Sequence, residues 1–444
     1  MTSTDVKGPE SMGDPRANEA AGGAAGAAPV PAQQGLADAG PALEEPQGGI
    51  EEEALSVGRG ATPGAAAAAA LSRAQRSRSF EVADFERPVT KQEEWRFTPL
   101  RVMAPLFEDA PTDDRDGDPA VDYQIEAPSD ITQGVLAPGE APRGTVLVPE
   151  DIVAAVASVR TEQALHLRAA KNTEVSEPAR VEITGRGADR RGNAHIVLET
   201  EESASATFVL NHTGSARYAQ NVEMVLGQNS QMTVISLHDW DDDALHIAQH
   251  HAKIARDAKL KHIVVTLGGR AVRVNAVGEL VEPGGEVEKL GLYFSDASQY
   301  LEHRLFVDHA APNCTSNSTY KGALQGQGAR SVWVGDVLIR KVAEGTNTYE
   351  LNRNLVLTDG ARADSVPNLE IETGEIEGAG HAAATGRFDD EQLFYLRSRG
   401  IPELEARRLV VRGFFAELIQ QIDVPEIREH LTESIENELA RSMN

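Results

Sequence analysis

Cysteine is nearly absent from this chain: Cys314 is the only one in 444 residues. No intrachain disulfide and no multi-thiolate metal site can form, which fits a reducing compartment. Aromatic residues make up 5% of the chain, and residues 1–75 contain none. That stretch is built from Ala, Gly, Pro and acids, offers too little burial to offset the entropy of ordering, and predicts a disordered tail. Positive charge is scarce as well: 42 Lys and Arg face 69 Asp and Glu, for a net charge of −27. Such a balance repels phosphate backbones, so nucleic acid is not an expected partner.

Long hydrophobic runs are also lacking. The run Ala65 to Leu71 is too short to cross a bilayer, and no basic region precedes it. Acids at Glu44, Glu45, Glu51, Glu52 and Glu53 upstream of Arg73, Arg76 and Arg78 disfavour an organelle transit peptide. The expectation is a cytoplasmic chain without a membrane role. No G-x-x-x-x-G-K-[ST] loop, no G-x-G-x-x-G after a strand, no G-x-S-x-G and no H-E-x-x-H occurs. The chain is therefore expected to bind no nucleotide and not to be an enzyme; ATP dependence would come from a partner.

What is present, from Thr145 onward, is a series of short β-branched runs such as V-L-V, V-E-I-T, H-I-V-L-E-T, M-T-V-I-S-L and H-I-V-V-T-L, bounded by Gly, Asn, Asp or charge. Val181, Ile196, Phe208, Val222 and Val234 are spaced alternately wider and narrower, as two strands per coil would require. Asn-Gly hairpin turns and long amphipathic helices are scarce between the runs, which argues against hairpin barrels and doubly wound α/β folds. The predicted fold is mainly β, a β-helix (solenoid) core over 145–388. It follows an irregular or helical segment over 76–144, where Trp95 and Phe97 can anchor E-E-W-R-F-T-P-L by ordinary packing.

After Asp389 the period changes to about 3.6. A first helix runs to Gly400, Pro402 opens a second with Ala406, Leu409, Val410, Gly413, Phe414, Leu418 and Ile419 on one face, and Val424-Pro425 separates a third. This helical segment, 389–444, is expected to cover an end of the solenoid, since open sheet edges invite aggregation.

Three places carry candidate chemistry. His381 lies in G-H-A-A-A-T-G-R, among small residues that leave an imidazole uncovered, and a loop here would present it to a metal. In H-D-W-D-D-D-A-L-H-I-A-Q-H-H, His246 and His250 would share a face of a short helix, although the spacing lacks the Glu of a zinc motif and Asp241 to Asp243 read as a solvated turn. Cys314 reads as a small buried hydrophobe rather than a thiolate. In the C-terminal helices Phe394, Tyr395, Phe414 and Phe415 alternate with Arg397, Arg399, Arg407 and Arg408, a mixed apolar and basic surface suited to a protein partner.

The blocks S-V-P-N-L-E-I, G-H-A-A-A-T-G-R, D-D-E-Q-L-F-Y-L-R-S-R-G-I-P and R-G-F-F-A-E-L-I between Ser365 and Ile422 resemble, in order and without a gap, the C-terminal part of SufD-like chains of the SufB/SufD family. E-E-W-R-F-T-P-L at Glu93–Leu100 and A-A-P-N-C-T-S-N-S-T-Y-K-G at Ala310–Gly322 resemble two further family signatures. The resemblance implies a non-catalytic scaffold subunit for iron–sulfur cluster assembly that pairs with SufB and docks the SufC ATPase. His381 would face the SufB interface and share a transient iron–sulfur cluster there, with Cys314 a weaker metal candidate. It also implies that the C-terminal region, including Phe394, Tyr395, Arg397, Arg399, Arg407, Phe414 and Phe415, meets SufC. One departure stands out: where some SufD relatives carry cysteine two residues before the histidine, this chain has Ala379. A SufB-type role would call for cysteine at the assembly site, and a carbohydrate-active β-helix enzyme would call for a secretion signal and a basic groove.

Overall fold

The computed structural model describes residues 73–388 and 390–441, so almost all of the tail expected over 1–75 lies outside the described residues. The described chain starts with short helical turns, including α1 (Leu100–Met103), and a ribbon of β1 (Asp114–Arg115) and β2 (Asp118–Pro119). Then come β3 (Val121–Glu126), β4 (Ile131–Leu136), α2 (Ile152–Arg160) and β5 (Ala164–Ala169). The expected irregular segment thus ends in paired strands: β3 runs antiparallel to the start of β6 (Ala179–Thr200), and β4 pairs with β5, which pairs with the end of β6. The V-L-V run is not a strand. Its amides, at Val146 and Leu147, and that of Gly144 donate to the buried Glu223 carboxylate, with Val146 at 2.6 Å.

β6 and β7 (Ser205–Leu226) are 22-residue strands paired in parallel, with a register break after Arg186 in β6. The first half of β7 pairs with β8 (Gln231–Trp240) and its second half with β9 (Leu245–Ile254). Two parallel faces grow from there. One continues through β10 (Lys259–Thr266), β12 (Glu286–Ser295), β14 (Thr315–Leu324), β16 (Asn347–Val356) and β18 (Gly378–Arg387). The other continues through β11 (Ala271–Leu280), β13 (Tyr300–His309), β15 (Arg330–Ile339) and β17 (Arg362–Ile371). This is a parallel β-solenoid of about eight turns with terminal helices, mainly β as the sequence predicts. Of the five marker residues, Phe208 stacks on Val234 and Ile196 on Val222, whereas Val181 pairs with Leu210 instead.

The coil turns have a common backbone device. Ser203, Asn229, Asp257, Gly284, Asn313 and Gly345 have positive φ, and each stands two residues before a strand of the first face. Asn, Asp and Gly tolerate this left-handed conformation best. Successive turns also stack closely: a Cβ on Gly284 would lie 2.1 Å from Asp257 Oδ1, and one on Gly345 would lie 2.4 Å from Asn313 Oδ1.

Inward side chains fill the lumen, from Val181 and Phe208 through Leu305 to Trp333. Tyr293 lies where a Cβ of Gly322 would be, and Tyr320 where one of Gly291 would be, so each ring fills the gap of a facing glycine. The outer faces are apolar too, and both are covered. Trp95, Met103, Phe107 and α2 pack on the β9–β15 side. On the other side, α4 (Glu403–Ile419) and α5 (Pro425–Arg441) pack on Ile235, Ile263, Leu290 and Leu292.

Two expectations need correction here. The C-terminal helices cover a face of the solenoid rather than its end, because that face carries an apolar stripe, Ile235, Ile263, Leu290 and Leu292, that the helices bury. The buried stripe of α4 is Ala406, Val411, Phe415 and Leu418, so Ala406 and Leu418 of the expected face are buried, Val411 and Phe415 take the places expected for Val410 and Phe414, and Leu409 is exposed. The first helix, α3 (Asp390–Ser398), stops as expected before Gly400 (φ +86°), with Ile401 N donating to Leu396 O. No helix among the described residues is long and apolar enough to cross a membrane.

Candidate functional site

The last coil is where the solenoid is open. β17 and β18 each pair on one side only, and most of their residues are exposed or half-buried. His381 is in this coil, exposed, but in strand β18 rather than in a loop. The small residues around it extend the parallel ladder instead of interrupting it. Its register partner on β16 is Glu350.

Following the register inward gives a column of lumen positions: His381, Glu350, Ser318, Lys289 and His262. Glu350 and Lys289 are fully buried. Burial, reinforced by Asp336 and opposed by Lys289, pushes the Glu350 carboxyl up to about 8. Burial and the charge of Arg73 bring the Lys289 ammonium down to about 7. Lys289 Nζ donates to the Ala276 carbonyl at 3.0 Å, whereas neither Glu350 oxygen has a hydrogen-bond partner among the described residues.

Deeper in the lumen, His250 Nδ1 and His262 Nε2 are 3.0 Å apart, and His212, His238 and His246 pack ring against ring. Burial keeps all five imidazoles well below their usual range, His212 at about 4. His246 and His250 thus share a face of strand β9, not of a helix, and they point into the core. Asp241 to Asp243 form the exposed turn that the sequence suggests. Among the described residues no three of His, Cys, Asp or Glu are grouped to hold a metal ion.

Cys314 is fully buried at the turn into β14. Its Sγ donates to the Glu282 carbonyl at 3.4 Å, and burial pushes the thiol up. The proposed partner surface divides in two. Phe394 and Tyr395 are 74% and 56% exposed. Arg399 lies over the Tyr395 ring, Arg397 pairs with Glu403, and Arg407 reaches both Glu403 and the Phe388 ring. Phe415, by contrast, is fully buried against the solenoid and Phe414 packs beside it under Lys321. Phe415 is therefore core and is removed from the partner surface.

The model of the SufBD core domain of the SUF iron–sulfur cluster assembly system matches residues 183–414. An iron–sulfur cluster assembly SufBD family protein of Mycobacterium tuberculosis is 52% identical over 367 residues, 81% of this chain and 91% of the relative. The chain belongs to the SufBD family. Among its more distant relatives, the iron–sulfur cluster assembly protein SufD of Escherichia coli is 29% identical over 51% of this chain and 54% of its own length. SufD of Bacillus subtilis is 25% identical over 61% and 62%. The SufBD match takes in Cys314, the whole lumen column, His381 and α3.

Residue typing alone missed two buried groups. One is the column beneath His381, which becomes visible only once the register is known. The other is the ion pair of Arg273 and Glu302 at 2.6 Å, with Arg304 at 3.3 Å and Thr98 and Tyr300 donating to the same carboxylate. Arg273 also lies 4.1 Å over the Trp95 ring. A signal for both existed: ionisable residues at inward or covered positions of runs otherwise patterned as strands.

Proposed function

We propose that this chain is a SufD-type scaffold subunit, cytoplasmic and not itself an enzyme, that pairs with a SufB paralogue through its open coil and docks the SufC ATPase through α3. The observation that carries this reading is the pair of edge strands β17 and β18, whose unpaired backbone groups surround an exposed histidine. An exposed edge of this kind is a template for another strand. The relatives named SufD in two bacteria support the subunit type.

Iron and sulfide are the cargo. Clusters are held mainly by thiolates, with histidine an occasional substitute. The one thiol of this chain is buried and protonated, so sulfur donors come from across the subunit boundary while His381 offers nitrogen. Nucleotide hydrolysis in SufC would then drive the rearrangement that exposes the paired edges. A SufB-type role fits less well, because Ala379 to Gly386 supplies no thiol.

The test is co-expression with candidate SufB and SufC subunits and analysis of iron and sulfide in the purified complex. His381→Ala should leave assembly intact and lower the cluster content, whereas Phe394→Asp with Tyr395→Asp should lose SufC and keep SufB. Unchanged iron and sulfide in the His381 variant would remove that residue from the assembly site.

A further inference from the structure

We propose that Glu350 is a second protein donor to the incoming iron ion, placed directly beneath His381. The inference rests on the reading of His381 given above. Along β16 the alternation is plain: Thr348, Glu350, Asn352 and Asn354 are buried in the lumen, while Tyr349 and Arg353 face out. Register carries the same parity to β18. Ala379 packs on the lumen core, and Thr385 Oγ1 accepts from Asn354 Nδ2 at 3.5 Å. Gly380 lies on the outside, where a Cβ would be 3.2 Å from the Tyr349 ring. His381, between Ala379 and Ala383 in parity, is therefore on the lumen side, one strand spacing of about 4.8 Å above Glu350.

The state of Glu350 is the second observation. A buried carboxyl is costly unless something pairs with it, yet both its oxygens lack a partner among the described residues. Gly335 makes room for the group, since a Cβ there would be 2.6 Å from Oε2. The nearest cation in the column, Lys289, is two rungs down and bonded to a backbone carbonyl. On β18 the lumen-side residues flanking His381 are Ala379 and Ala383, whose small side chains leave the imidazole uncrowded above Glu350. One imidazole nitrogen and one carboxylate oxygen suit a divalent iron ion, and two ligands leave its remaining positions for donors from a partner.

The experiment is an anaerobic titration of the full chain, labelled with 15N-histidine, with iron(II) alone, following paramagnetic broadening of the His381 resonance. Thermal melts check the fold of each variant. We expect saturable broadening in the wild type, and at least a tenfold higher iron(II) requirement for Glu350→Gln, since losing even an outer-sphere partner of a metal ligand costs about tenfold or more. Glu350→Asp, which keeps the charge but withdraws it by one methylene, should fall between them; it also decides the matter if the Gln variant fails to fold. A Glu350→Gln or Glu350→Asp chain that titrates like the wild type overturns the role of Glu350 and leaves that of His381 standing. Wild type without broadening, or iron(II) binding unchanged in His381→Ala, overturns both.

Discussion

Lowering the pH should unfold this protein from the inside. His212 and His309 are held by burial at about 4 and His303 at about 3, against 6.5 for a free imidazole. A folded pKa lowered in this way has no effect on stability above pH 6.5. Below it the unfolded chain takes up protons that the folded chain refuses, so stability falls with pH until the folded pKa is reached. At about 1.4 kcal/mol per unit, these three groups alone remove roughly 10 kcal/mol by pH 3 to 4, comparable to the whole net stability of a typical domain. His195, His238, His246, His250 and His262 are shifted in the same direction. Glu350 opposes them: raised to about 8, it binds a proton in the folded chain that the unfolded chain lacks down to pH 4.5, which offsets about one histidine. The assay is the urea midpoint at half-unit steps from pH 7.5 to 4.5. It should be flat near neutrality and then fall steeply, and His303→Gln, which cannot be protonated, should reduce the slope by about 1.4 kcal/mol per pH unit. A midpoint that stays level from pH 7 to 5 would mean that the imidazoles titrate freely and that the lumen is not dry.

Two further outcomes follow from packing. Glu302→Ala strands Arg273 and Arg304 without their shared carboxylate and should cost about 3–5 kcal/mol in denaturant unfolding, with residues around Trp95 becoming the first protease target; a loss under about 1 kcal/mol would show that water replaces the carboxylate. Gly322→Ala places a Cβ 1.8 Å from the Tyr293 ring and should cost about 1–3 kcal/mol, partly restored by Tyr293→Leu, and the lack of any rescue would count against the ring-in-gap account.

The solenoid was legible because its strands are strongly β-branched and its core markers recur at coil spacing. The stop at Gly400 and the break at Pro425 were legible for the same local reasons. Register was not, since it depends on left-handed turns such as Asn229, Asp257 and Asn313, whose significance emerges only when the stacked turns are compared. Without register, His381 looked like a loop residue, His246 and His250 looked helical, and the column beneath His381 had no address. On α4 the expected Ala406 and Leu418 are buried, whereas Val411 and Phe415 are buried in place of Val410 and Phe414, because the neighbours are chemically alike and only packing on the solenoid selects between them. What covers the solenoid is likewise a tertiary decision: the buried stripe of α5, Ile427, Leu431, Ile435 and Leu439, is apolar in sequence but does not say which surface it meets.

The uneven finish of the solenoid has a consequence for supply. Its first coils are flanked by the six-residue strands β3 to β5, while the last ends in two ten-residue strands, β17 and β18, each with a bare backbone row. A copy whose open edge stays uncovered is therefore a nucleus for mispairing with its own kind, so the hazard grows with the concentration of the free chain.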